Sequence, residues 1–212
     1  MRDFTNTSPQ KKERIRSLED LKRRMQKDEN LPLRHHATNL VFGVGDPYSK
    51  VTFIGEGPGY WEDQKGEPFV GNAGKLLDSL LQLIKLDRTK VYITNVVHHR
   101  PPNNRDPDPS EIATYAPYLN SIIEIVSPRI VVTLGRFSMG KFLPGVKITA
   151  VHGRLFSINW KGKELVVIPM FHPAAGLRSS EVLRLLKEDF MKLPEVFSEL
   201  KEENKSQQMS LI

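Results

Sequence analysis

The chain has 212 residues, 39% hydrophobic and 26% charged, which suits one sizeable core in an ordinary globular protein. Zero cysteines exclude disulfides and any thiolate metal site, and no apolar run is long enough for a membrane helix. A net charge of +6 favours a polyanionic partner.

The N-terminus is charged and lacks the apolar core of a leader, so the expected location is cytoplasmic. Residues 10–28, QKKERIRSLEDLKRRMQKD, carry Ile15, Leu18, Leu21 and Met25 at 3–4 spacing, which predicts a surface helix with a basic face. This sets residues 1–30 apart as a basic N-terminal segment ahead of a domain over 31–200. After the loop LPLRHHATN and an extended LVFG, KVTFIGEG predicts a buried strand entering a Gly-rich loop. AGKLLDSLLQLIK follows as a helix with its Leu stripe inward. VYITNVV predicts a second buried strand ending in HHRPPNNRDPDP, a loop stiffened by its prolines. PSEIATYAPYLNSIIEIV predicts a helix begun at Pro109 and Ser110 and kinked at Pro117. RIVVTLG then predicts a strand, Arg136 to Leu143 a helix, KITAVHGRLFSINWKG a hairpin and ELVVIPM a last strand. A helix from about Ser180 to residue 200 and a flexible tail over 201–212 complete the chain.

Almost wholly apolar strands alternating with helices predict a parallel sheet covered on both faces. Sites in such sheets lie beyond the carboxyl ends of the strands. That rule gathers GEGPG, Asn95 with HHRPP, Gly135 and PMFHPAAGLR on one edge.

The loop GEGPGYWEDQKGEPFVGNAG is rich in glycine, yet it lacks the Lys-Ser/Thr of a phosphate loop and the glycine spacing of a dinucleotide fingerprint. Pro58 removes a backbone donor, and Glu56, Glu62, Asp63 and Glu67 would repel a phosphate. Glu56 either holds a water or faces a developing cation, or it caps backbone N–H groups. Phe69 is a core anchor or a stacking platform. Asn95 either reads a base edge, which needs a donor and an acceptor side by side, or caps a turn. His172 either donates to a leaving anion or is structural. Brought together at one sheet edge, the four make a pocket with a carboxylate, a stacker, an amide reader and a donor.

GEGPGYWEDQKGEPFVGNAGKLL, VYITNVV with RPPNNRDP, and FHPAAGLR resemble the motifs of uracil-DNA glycosylases, most of all the bacterial and archaeal family-four branch. The likeness runs in order from about residue 37 to 192. It implies a three-layer α/β/α sandwich with a small central parallel sheet and hydrolysis of the N-glycosidic bond of a flipped deoxyuridine in DNA, the first step of base excision repair. Phe69 would then stack on uracil, Asn95 would read its Watson–Crick edge, and Gly57 with its loop amides and His172 would stabilise the uracil anion. Glu56, with Glu62 as second choice, would orient water or face the cationic sugar. Gly71, Asn72 and Lys75 at a helix start, with Arg100, would take flanking phosphates. Leu177 would wedge into the vacated stack with Arg178 beside it.

The resemblance also implies four cysteines holding an iron–sulfur cluster, at positions that here carry Asp28, Leu31, His99 and Tyr115. None is a thiolate, so no cluster and no other cofactor is expected. His35, His36, His98 and His99 raise zinc as an alternative, but adjacent histidines point apart in extended chain. Surface or DNA-facing imidazoles, with no metal, are the expectation. Gln208-Met209-Ser210-Leu211-Ile212 resembles a bacterial sliding-clamp-binding peptide on a polar tail. Expected partners are therefore uracil-containing DNA and a clamp, with no membrane and a monomeric chain. A catalytically weak or inactive DNA-binding or clamp-adaptor homologue would have no need of Glu56 or Asn95. A glycoside- or nucleoside-hydrolysing enzyme would need no wedge loop.

Overall fold

The computed structural model describes residues 9–209, with side chains over 12–198. The chain runs through α1 (Pro9–Lys27), β1 (Val44–Gly45), β2 (Val51–Gly55), α2 (Tyr60–Lys65), α3 (Asn72–Leu83), β3 (Tyr92–Asn95) and α4 (Pro109–Val126). It continues through β4 (Ile130–Leu134), α5 (Arg136–Phe142), α6 (Ile148–Val151), β5 (Phe156–Trp160), β6 (Lys163–Met170), α7 (Pro173–Gly176) and α8 (Ser180–Met209). α8 thus runs into the stretch set apart above as a tail, and the peptide Gln208–Ile212 lies outside the residues described with side chains.

The sheet order is β1-β3-β2-β4-β6-β5. β3, β2, β4 and β6 are parallel, while β1 and β5 are antiparallel edges. The three-layer α/β/α reading holds, although the sheet is mixed rather than purely parallel. Side chains alternate across it. Ile54, Tyr92, Val131 and Val167 face the layer of α1, α4 and α5, whose Leu21, Met25, Leu119, Ile122 and Phe142 complete one core. Phe53, Ile93, Val132 and Ile168 face α3 and α8, meeting Leu77, Leu80, Leu81, Leu186 and Phe190. Strands covered on both faces are mostly apolar, and β2 and β4 are buried at every position, Thr52 and Thr133 included.

One local expectation is corrected. KITAV is not the first arm of a hairpin: Ile148–Val151 is a helical turn with only Val151 buried, and the hairpin is β5 with β6. Its turn is Lys161-Gly162, with φ of 48° and 84°. Positive φ at both central positions is the turn geometry that matches strand twist, and the lysine in the first of them hid the signal. Pro117 lies inside α4, which continues past it to Val126.

The strand order places the site. From β2 the chain crosses to β3 on one side, then returns through α4 to β4 on the other. The carboxyl ends of β2 and β4 flank this reversal, where a crevice opens in such sheets.

Candidate active site

At that crevice lies a cavity of about 250 Å³, lined by Glu56, Phe69, Asn95, Asn104, His172 and Arg178 among others. Four separate chain segments supply these residues: the ends of β2, β3 and β6 bring Glu56, Asn95 and His172, and the turn before α3 brings Phe69. Gly57 lines it too, and a Cβ there would come within 2.7 Å of Val97 Cγ2, so a larger residue would push Val97 aside.

Asn95 ends β3 and is 1% exposed. Its Oδ1 is buried without a hydrogen-bond partner although the residue lines the cavity. A buried acceptor left unpaired costs about 1–3 kcal/mol, so it is poised for an N–H donor entering the cavity. Phe69, 5% exposed with a φ of 54°, stands beside it. Two glycines make this possible. A Cβ at Gly55 would collide with Asn95 Oδ1 and lie 2.5 Å from Phe69 Cζ, and one at Gly74 would collide with the Phe69 carbonyl.

His172 caps α7. Its Nδ1 accepts from the Ala174 N–H at 3.1 Å, so the ring proton sits on Nε2. Burial, reinforced by the Arg178 cation and opposed by Glu62, pushes its pKa down to about 4. At neutral pH it is an uncharged imidazole that donates through Nε2. Gly135, with a φ of 97°, packs 3.1 Å from His172 Cβ at the position its own Cβ would fill. Glu56 is half-buried. Burial and then Asp106 raise its pKa, while Arg136 and Arg178 oppose the rise. Arg136 is ion-paired with Asp106, and the two act on the Glu56 carboxyl in opposite directions.

Glu62 also lines the cavity, but its oxygens are engaged: Oε1 accepts from Val70 N at 2.9 Å and Gly71 N at 2.7 Å, and Oε2 from Gly59 N at 3.2 Å. It ties the loop after β2 to the start of α3. The Gly71 amide is therefore occupied by a carboxylate, while Asn72 and Lys75 are exposed. Arg100 donates to Asn104 Oδ1 at 2.7 Å and lies over the Tyr60 ring. Leu177 is 53% exposed at the turn from α7 to α8, an apolar side chain projecting beside the cavity-lining Arg178.

A family profile described as "Uracil DNA glycosylase superfamily" matches residues 42–197. The chain belongs to that superfamily. It is 43% identical over 188 residues, 85% of this chain and 84% of the relative, to a "Type-4 uracil-DNA glycosylase" of Sulfurisphaera tokodaii. Proteins of the same description from Archaeoglobus fulgidus and Thermotoga maritima are 41% and 42% identical, covering 86% and 82% of this chain and 94% and 92% of their own.

The iron–sulfur positions implied by likeness to this branch do not fit a cluster here. Leu31 and Tyr115 are fully buried in the apolar core, His99 Nδ1 is 2.8 Å from the Tyr115 hydroxyl, and Asp28 accepts from Tyr118 at 2.7 Å. A hydrocarbon, a phenol, an imidazole and a carboxylate replace the thiolates a cluster needs. His98 and His99 are not surface or DNA-facing imidazoles. They are 0% and 4% exposed, packed on Tyr115, and burial pushes their pKa values down to about 3 and about 4. His35 and His36 are exposed, and among the described residues no group of three or more metal-ligating side chains gathers.

Sequence reasoning missed four contributors. Asp63, 2% exposed, accepts from the Thr38 and Asn39 amides at 2.8 and 3.1 Å and anchors α2 to the preceding loop. Arg105, paired through both terminal nitrogens with Glu111, lines the cavity, and the Asp106–Arg136 pair faces Glu56. RPPNNRDP contained the signal, but spacing alone does not say which of its charges turn inward.

Proposed function

We propose that this protein is a uracil-DNA glycosylase that removes uracil turned out of DNA, releasing free base and leaving an abasic site. The observation that carries this reading is the unpaired, buried Asn95 Oδ1 in a cavity bounded by the Phe69 ring and the His172 donor. Uracil presents N3–H beside O4, so the Asn95 amide meets it with Oδ1 accepting and Nδ2 donating. Cytosine presents the opposite pattern and leaves both Asn95 groups mismatched.

In the reaction, the C1′–N1 bond breaks with its electron pair leaving on uracil. Charge that develops on the base is met by His172 Nε2–H and by amides of the loop around Gly57, oriented before the reaction begins. The sugar becomes cationic as the bond breaks, and the Glu56 carboxylate faces it and orients the attacking water. Oxygen of that water bonds to C1′, and its proton ends on the departing base or in solvent. Glu62, held by three amides, keeps the loops in register. Leu177 fills the gap left in the stack, and Arg178, Arg100, Asn72 and Lys75 take phosphates.

The enzyme acts as a monomer and without an iron–sulfur cluster, its docking region held by the Tyr115 packing described above. The C-terminal Gln208–Ile212 peptide tethers it to a sliding clamp. The test is an oligonucleotide with a single uracil, followed by alkali cleavage of abasic product. Strand scission only with uracil present is expected, and folded protein that releases no base from single or double strands would overturn the reading. Iron and inorganic sulfide in stoichiometric amounts in purified protein would overturn its metal-free part.

A further inference from the structure

α2 carries two large aromatic side chains that the chemistry above does not use. Tyr60 is 48% and Trp61 55% exposed, and their rings meet edge to face at 5.1 Å. Both lie between Gly59 and Glu62, which line the cavity. The Arg100 guanidinium stands 5.2 Å above the Tyr60 ring. Trp61 Cδ1 is 3.5 Å from the point where a Cβ on Gly71 would stand, so the indole covers the start of α3 beside Asn72. The two acids of this helix turn away: Glu62 is bonded to Gly59, Val70 and Gly71, and buried Asp63 to Thr38 and Asn39. What faces solvent is an aromatic pair with Arg100 over one ring, on a helix that ends in the exposed Lys65.

Exposed indole and phenol rings gain no stability from burial, yet here they are fixed in place by a cation and by each other at the rim of a base-sized cavity. Aromatic rings beside cations are the arrangement that stacks unpaired bases along a charged backbone. We propose that Tyr60 and Trp61 form a stacking platform for the unpaired base next to the extruded one, so that the surface favours single-stranded DNA. The proposal rests on the glycosylase reading for its setting, but not for its test.

The probe is a labelled, uracil-free oligothymidylate, followed by label anisotropy and by tryptophan emission. The chain has only two tryptophans, and Trp160, in β5, supplies a constant background. Emission of the unmodified protein should fall in step with the anisotropy isotherm. Trp61→Phe should bind nearly as well while losing most of the emission change. Tyr60→Ala with Trp61→Ala should weaken binding roughly tenfold, and should raise KM on a uracil-containing single strand by a similar factor with kcat little altered. Unchanged emission at saturating oligonucleotide, or an alanine isotherm superimposed on the original, would overturn the platform. Loss of emission on binding without any uracil release would sink the glycosylase reading and leave the platform standing.

Discussion

The His172 imidazole and the Phe69 ring lie nearly parallel, 5.7 Å between centroids and 28° between planes. One ring is held from below by the backbone made possible at Gly74, the other by its bond to Ala174. Two rings that line the cavity are thereby fixed against each other.

That arrangement sets a pH dependence. Proton binding by His172, whose pKa is about 4, would force its Nδ1 to give up the Ala174 N–H, and a proton on Glu56 removes the negative charge that faces the sugar. In the proposed mechanism both groups work deprotonated, so the rate should rise with pH. Burial, and then Asp106, raise the Glu56 carboxyl from its ordinary value, so it adds an acid limb of its own. In single-turnover rates, Glu56→Gln should lower the plateau and leave a single acid limb near pH 4. An unchanged two-step profile would remove Glu56 from the chemistry.

Asn95→Asp should erode the preference for uracil, since a carboxylate offers no donor and repels the base carbonyl. The ratio of uracil to cytosine release should fall by about 100-fold or more, the loss expected when a polar reader is mismatched. His172→Ala should slow the chemical step by about 10²-fold. Single-turnover rates on matched oligonucleotides measure both.

Gly55→Ala tests the wall behind the reader. Its methyl would collide with Asn95 Oδ1 and stand 2.5 Å from Phe69 Cζ, displacing both. Base release should drop by at least two orders of magnitude, a loss typical when a reacting geometry shifts by about 1 Å. Circular dichroism should still report a folded protein.

Acid should also unfold this protein early. His98 and His99 hold pKa values of about 3 and about 4 when folded, against about 6.5 in the unfolded chain. Between pH 6.5 and 4 the unfolded state therefore binds more protons. Stability is complete above 6.5 and falls by about 1.4 kcal/mol per pH unit for each histidine as pH drops through that window. His99→Gln keeps a hydrogen-bonding partner for Tyr115 without the titration. Urea midpoints measured from pH 4 to 7 should slope less steeply for it than for the unmodified chain.

Deleting residues 208–212 should leave cleavage of a short oligonucleotide intact and abolish binding to the cognate clamp, because a tether raises local concentration without touching the pocket. Equal clamp binding by both forms would make the tail a plain chain end.

Much of this was legible because parallel strands announce themselves. β2 and β4 are apolar at nearly every position, β3 follows the apolar Val91, and the rule that sites open at the carboxyl ends of such strands selected Glu56, Asn95 and His172 without coordinates. Charge direction was not legible. Sequence spacing could not reveal that Glu62 turns back onto Val70 and Gly71, or that Arg105 reaches the cavity. Nor could it show His98 and His99 pointing inward, because polar histidines beside prolines read as loop. Their burial depends on Tyr115, sixteen residues away from His99. KITAV misled for the opposite reason, its β-branched residues suiting a strand that the tertiary fold does not provide.

The pairing of His99 with Tyr115 has a physiological corollary. A repair protein whose shape depended on an inorganic centre would mature only as fast as a cell could deliver metal and sulfide, and would lose that shape when oxidants attacked the centre. This chain draws on ordinary side chains at those positions and has no cysteine for an oxidant to reach. On the metal-free reading proposed above, its supply would be set by translation alone, and it would remain competent under iron starvation and through oxidative bursts.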